Sequence, residues 1–226
     1  MRANLFFVIF LCFSFSNTSS YSSELDRAIS SLYNFQIDSC IYKLNNLALE
    51  NKEDALIPFL KIAAEWQNIL LNEGHDLSYE VIYNGIDSAV PFYLDMINKY
   101  PNDPSYPLFL GSLYGLKSRI DLAQSNWIDL VISGARGYKY IDKSRQIDSL
   151  YYDVYMPIGT LEYFLCRSSP SIQLIGKLLG MQSDCTEAIE KLETASSHSR
   201  FSWIESRNVL SYIYLYIERD YKKALA

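Results

Sequence analysis

Two histidines, His75 and His198, and four cysteines are the residues of this 226-residue chain best suited to acid–base, nucleophilic or metal chemistry. His75 stands beside Asp76, and such a pair can pass a proton. It lies in "NEGHD", which reads as a solvated turn between helices. The histidines are far apart and have no partner ligands at metal spacing, so neither a zinc site nor any other cofactor is expected. Gly134-Ala-Arg-Gly137 is too short for a phosphate-binding loop and falls inside a predicted helix. The chain has no His-Glu-x-x-His pair and no nucleophile elbow. Asp153 and Glu162 would support an enzyme reading if their carboxylates converged in a cleft. Cys166 and Cys185 flank a loop-like insert, where a disulfide and two buried free thiols are both open readings. Cys40 is left over in either case.

The elements that hold these residues follow a repeat. Apolar, small, two residues, aromatic occurs as Ile29-Ser30-x-x-Tyr33, Ile62-Ala63-x-x-Trp66 and Leu110-Gly111-x-x-Tyr114. Ile158-Gly159 follows, with Tyr163 one place late, and Leu210-Ser211-x-x-Tyr214 is the last. Ala63, Gly111 and Gly159 are evenly spaced. A second series of small residues, Cys40, Ala89, Gly137 and Ala188, interleaves with the first at nearly the same period. Two interleaved series describe a two-helix unit with one small residue on each helix, where the backbones come close. A bulky side chain there costs ~1–3 kcal/mol of overpacking strain. Glu162 takes the place of the aromatic in its unit. Tyr163 or Tyr155 is expected to fill that space, with Glu162 turned to solvent. Glu65, before Trp66, reads the same way.

Helical period agrees. Ile82, Ile86, Ala89, Val90, Tyr93 and Ile97 share one face. Asp103 is a good N-cap, with Pro104 at the first helical position. Helices are expected at 23–33, 36–50, 54–72, 77–99, 104–122, 126–146, 150–165, 184–197, 203–217 and 219–226. Pro91 should kink or split the fourth. The insert at 166–183 breaks the rhythm, and its apolar centre from Ile172 to Leu179 suits a short helix. The fold class is all-α.

Export is expected. Arg2 precedes an apolar run from Leu5 to Phe15, and small residues follow, so residues 1–22 read as a secretory signal peptide. The run is too short to span a bilayer comfortably. Periplasm or secretion is therefore expected, with no stable membrane insertion after cleavage. Leu11 is too bulky before Cys12 for lipoprotein processing. The net charge of −6 and the absence of a basic stripe argue against a nucleic-acid partner. Tyrosine is used 19 times. Tyr138, Tyr140, Tyr151, Tyr152, Tyr155 and Tyr163 crowd one unit, where ordinary packing competes with a binding face.

These motifs resemble the tetratricopeptide repeat (TPR), a helix-turn-helix unit stacked into an α-solenoid, over residues 23–226. Leu110, Gly111 and Tyr114 match its first helix. Ala89, Tyr93, Met96 and Pro101 match a second helix and closing turn, and Ala188, Leu192 and Ala195 match another second helix. The usual unit has ~34 residues, and most gaps here are near 48. The chain is similar to divergent TPR-like proteins that bacteria export. The resemblance implies a protein or peptide partner in a groove lined by first helices, here Ser105, Leu108, Ser112, Asp153, Met156 and Thr160. The basic and asparagine residues of the carboxylate-clamping TPR class are not at those places. It also implies that "ERDYKKALA" opens a second helix, with the array expected to continue past residue 226. The expected function is a non-enzymatic protein-interaction scaffold or adaptor. The alternative is a binding module for a small molecule or glycan on the tyrosine-rich face, marked by a closed polar-aromatic pocket near Tyr138 to Tyr163.

Overall fold

A computed structural model describes residues 20–225; the side chains of Ser20 to Ser22 and of Asp76 lie outside that description. The expected signal peptide therefore lies almost wholly outside the described residues. Helix dominates, and no strand occurs among the described residues. The chain divides into two compact units, 1–89 and 90–226. The boundary falls within helix α4, His75–Lys99, which runs through Pro91 unbroken. The helix thus begins at His75, which belongs to its first turn and not to a loop.

In the first unit α1 (Ser20–Tyr33) packs on α2 (Ile37–Glu50), and α2 on α3 (Leu56–Asn72). Ile37, Cys40, Leu44 and Leu47 recur on one face of α2 and are all buried. Cys40 is a free thiol in that core, and burial pushes its pKa up to about 11. Ala63 is half-buried, whereas its neighbour Ala64 is fully enclosed. The tight approach here is between Gly85 and Ile62, which a Cβ on Gly85 would meet at 3.1 Å.

The second unit contains α5 (Ser105–Ala123), α6 (Trp127–Ile147), α7 (Tyr155–Cys166), α8 (Pro170–Leu178), α9 (Cys185–His198), α10 (Trp203–Tyr212) and a short α11 (Tyr221–Ala224). Asp103 does cap α5: its carboxylate accepts from the backbone N–H of Ser105 at 2.9 Å. Asp184 does the same for α9, taking the N–H groups of Thr186 and Glu187. The apolar centre of the insert forms α8, close to the expected short helix. The expected 203–217 helix gives way to a π turn over Ile213–Ile217.

α5 and α6 run antiparallel. Ser144 hydrogen-bonds the Pro104 carbonyl, Gly111 lies against Gly137 and Ile141, and Ser118 reaches the Leu130 carbonyl, so one number climbs as the other falls. α7 and α9 do likewise, with Gly159 against Ala188 and Leu192, and Cys166 bonded to Cys185. A Cβ on Gly111 would stand 2.5 Å from Ile141 and 2.7 Å from the Gly137 carbonyl. On Gly159 it would stand 2.8 Å from the Ala188 carbonyl. These glycines mark sites of close backbone approach, as the small-residue series predicts. Ser211, the last of that series, is exposed here, since α10 packs on α9 through Val209, Leu210, Ile213 and Tyr214.

The hairpin turns repeat without an obvious sequence signal. Phe35 and Ser125 both adopt positive φ, 58° and 63°. In both turns the next residue closes back on the helix, Gln36 on the Ser31 carbonyl and Asn126 on that of Asp121, each at 2.8 Å. This is the left-handed helix stop that glycine usually supplies.

Candidate functional site: a polar pocket and an apolar stripe

Three helices of the second unit aim regularly spaced residues at one cavity of about 130 Å³. α6 contributes Tyr138, Asp142 and Arg145, at i, i+4 and i+7. α7 contributes Tyr155, Ile158 and Glu162, at i, i+3 and i+7. α9 contributes Glu187 and Lys191, one turn apart. The loop after α8 adds Gly180 and Gln182. That loop is held in place twice: by the Cys166–Cys185 disulfide, Cα–Cα 5.6 Å, and by the Tyr138 hydroxyl, which donates to the Gly180 carbonyl at 3.1 Å. Of the two readings open for these cysteines, the structure has the bridge.

The expectation for Glu162 is overturned. Its side chain is 2% exposed, and Lys191 donates to it while also bridging to Glu187 at 3.0 Å. Side chains on a helix lean toward its N-terminus, so Lys191 reaches back along α9 and over α7, covering Glu162 from the water that the sequence reading assumed. Glu65, in contrast, is exposed as expected. On the far side of the cavity Arg145 holds Asp142 through Nη2 at 2.6 Å and Nε at 3.0 Å, and that hydrogen bond raises the arginine pKa. Gln182, with its amide nitrogen toward α9, donates to both Glu187 oxygens at 2.6 and 2.8 Å. Burial, seconded by the charges of Glu162 and Asp142, pushes the Tyr138 phenol up to about 12, so it remains a hydrogen-bond donor at any physiological pH.

Asp153 does not join Glu162. Its carboxylate is buried and accepts from the backbone N–H groups of Arg200, Phe201 and Ser202 at 3.1, 2.8 and 2.7 Å. It fixes the turn that leads into α10, a structural task that occupies both oxygens. Leu108 is likewise taken up inside, in a core with Ile141, Val154 and Ile158. Neither offers a free groove surface, which corrects the expectation for both. Ser105, Ser112, Met156 and Thr160 are half-buried. The Ser105 hydroxyl donates to Asp103 and that of Thr160 to the Met156 carbonyl. The crowded tyrosines form no exposed patch. Tyr138 and Tyr163 are buried and the other four half-buried. Tyr163 donates to Glu218, and burial first, then that carboxylate, raises its pKa.

A second surface lies on the outer face of α6. Trp127 is 62% exposed and Ile128 77%, and Val131 and Ile132 continue the same face one turn on. Leu122, at the end of α5, is exposed as well. Sequence reasoning passed over this stripe, although Trp-Ile-x-x-Val-Ile at the start of a helix is readable as a second apolar face. It also passed over Asp142, Arg145, Glu187 and Lys191, whose helical spacing was visible but whose common target was not.

Among the described residues, no three histidine, cysteine or acidic side chains are placed to hold a metal ion, and no helix is long and apolar enough to cross a membrane. Comparison with protein-family models, with curated proteins and with solved structures found no match to this chain.

Proposed function

We propose that this protein is an exported, TPR-like α-solenoid of antiparallel helix pairs that serves as a non-enzymatic scaffold or adaptor. The observation that carries the reading is the α6 stripe: Trp127, Ile128, Val131 and Ile132 expose contiguous apolar surface of the kind that marks protein contacts. The partner is a protein or peptide segment presenting a complementary apolar face. Supporting the repeat architecture are two antiparallel pairs with glycine at their closest approach, and one turn geometry used at Phe35 and again at Ser125. The Cys166–Cys185 bond suits an oxidising compartment outside the cytosol.

The test is site-specific photo-crosslinking from position 128 in the producing cell, with the adduct identified by mass spectrometry. One defined protein is expected, and its co-purification should be lost with Ile128→Asp but kept with Tyr155→Phe. Crosslinks only between copies of this chain, or none, would overturn the adaptor reading.

A further inference from the structure

The pocket between α6, α7 and α9 has a composition that selects its ligand. Its lining carries two cations, Arg145 and Lys191, and three carboxylates, Asp142, Glu162 and Glu187. None of these charges stands alone. Arg145 holds Asp142, and Lys191 holds Glu162 and Glu187. An anion entering would have to take a cation from a carboxylate already bound to it, in a lining with one negative charge in excess. An ammonium ion would meet Lys191 only 3.0 Å from the most accessible carboxylate, that of Glu187. Displacing either pair leaves a charge without its partner, which costs more than a neutral hydrogen bond returns.

A neutral hydroxyl group meets no such penalty. A carboxylate has about four acceptor sites and a guanidinium five N–H donors, so each paired group here keeps unused hydrogen-bonding capacity. The cavity wall therefore offers both donors and acceptors. A vicinal diol, whose two hydroxyls each donate and accept, can use both. Tyr155 adds another acceptor, since its hydroxyl hydrogen is given to the Ser149 carbonyl at 2.9 Å. Ile158 supplies an apolar contact for the carbon skeleton. Size sets the other limit. About 130 Å³ is the liquid volume of roughly four water molecules, enough for a three- or four-carbon polyol or for one edge of a sugar ring.

We propose that this pocket is a binding site for a neutral vicinal diol, presented by a short linear polyol or by the edge of a pyranose. This is independent of the α6 stripe, and either assignment can fail without the other.

The test uses the full oxidised chain and ligand titrations followed by NMR. The probes are glycerol, erythritol and methyl glucoside, with propanol, methylammonium and acetate as controls. Saturable shifts confined to the backbone of Gly180, the side-chain amide of Gln182 and the ring of Tyr155 are expected from a diol probe and from none of the controls. A response to the linear polyols alone, or to the glycoside alone, supports the proposal and names the source of the diol. Glu187→Gln, a change at a half-exposed residue, should weaken the diol by about tenfold, the equivalent of ~1.4 kcal/mol and of one charge-assisted hydrogen bond. Saturation by methylammonium or acetate, an equal response to propanol, or no localised shift would overturn the proposal and leave a water-filled recess. So would a Glu187→Gln variant that binds the diol as tightly as the parent chain.

Discussion

The α5–α6 and α7–α9 pairs solve the same problem with different chemistry. Both bring two antiparallel backbones together over a glycine, Gly111 in one and Gly159 in the other. In α5–α6 the buried polar residues are three serines and one aspartate, Asp121. Ser118, Ser133 and Ser144 are buried there, and each finds an acceptor across the interface: the Leu130 carbonyl, the Asp121 carboxylate and the Pro104 carbonyl. In α7–α9 the contact is charged and cross-linked. It contains the Lys191–Glu162 ion pair near its middle and the Cys166–Cys185 bond at one end. The first arrangement is rigid by fit, since backbone against backbone leaves no room for alternatives. The second needs specific partners, and its Glu162 and Lys191 line the pocket beside Tyr138, Asp142 and Arg145 of α6. Helix α6 thus serves both tasks, meeting α5 at Gly137 and the pocket at Asp142 and Arg145.

The sharpest way to break the comparison is to remove one partner from the charged pair. Lys191→Met leaves Glu162 buried without its cation, a change that typically costs ~3–5 kcal/mol. Chemical denaturation should show that loss. The double variant Glu162→Gln/Lys191→Met should recover most of it, because the uncompensated charge is gone. If the single variant is as stable as the parent chain, the ion pair is not what organises the α7–α9 contact.

Next in size is the disulfide. Replacing Cys166 and Cys185 by serine releases a loop with a sequence separation of 19, and bonds of this kind contribute ~2–4 kcal/mol. The expected signature is local as well as global. Hydrogen exchange should rise most across α8 and the Gly180–Gln182 loop, while α5 and α6 keep their protection. An increase spread evenly over the unit would mean that the two pairs are not independent after all.

The sequence made the glycine contacts legible and the ion pair illegible, for a physical reason. A glycine among leucines, as in "LFLGSLYG", is costly for a helix and therefore informative. It remains only to ask what comes close. A glutamate at a core position carries no such mark, because its partner, Lys191, lies 29 residues away and nothing local says that the two meet. The same blindness affected the turns at Phe35 and Ser125, where residues other than glycine take the left-handed conformation. Helix positions, by contrast, followed from period and caps. Asp103, read from the sequence as a cap, accepts a backbone N–H at the start of α5, and the structure adds Asp54 and Asp184 in the same role.

The smallest effects sharpen the α5–α6 side of the comparison, and they come from two glycines on one helix. Gly111→Ala places a methyl group 2.7 Å from the Gly137 carbonyl and 2.9 Å from the Ile141 nitrogen, backbone atoms that cannot rotate away. Overpacking of ~1–3 kcal/mol should outweigh the ~0.5–1 kcal/mol that alanine contributes over glycine inside a helix. Net destabilisation is expected, read as a lower midpoint of thermal or urea unfolding. Gly115, one turn later, has nothing within 4 Å of an added Cβ. Gly115→Ala should therefore gain alanine's helix preference without strain and stabilise the chain by ~0.5–1 kcal/mol. The two substitutions are chemically identical and lie on the same helix, so only the approach of α6 separates their signs. If both stabilise, α5 and α6 can slide apart at little cost, and fit is not what holds that pair. If both destabilise, the helix needs glycine for a reason other than close approach.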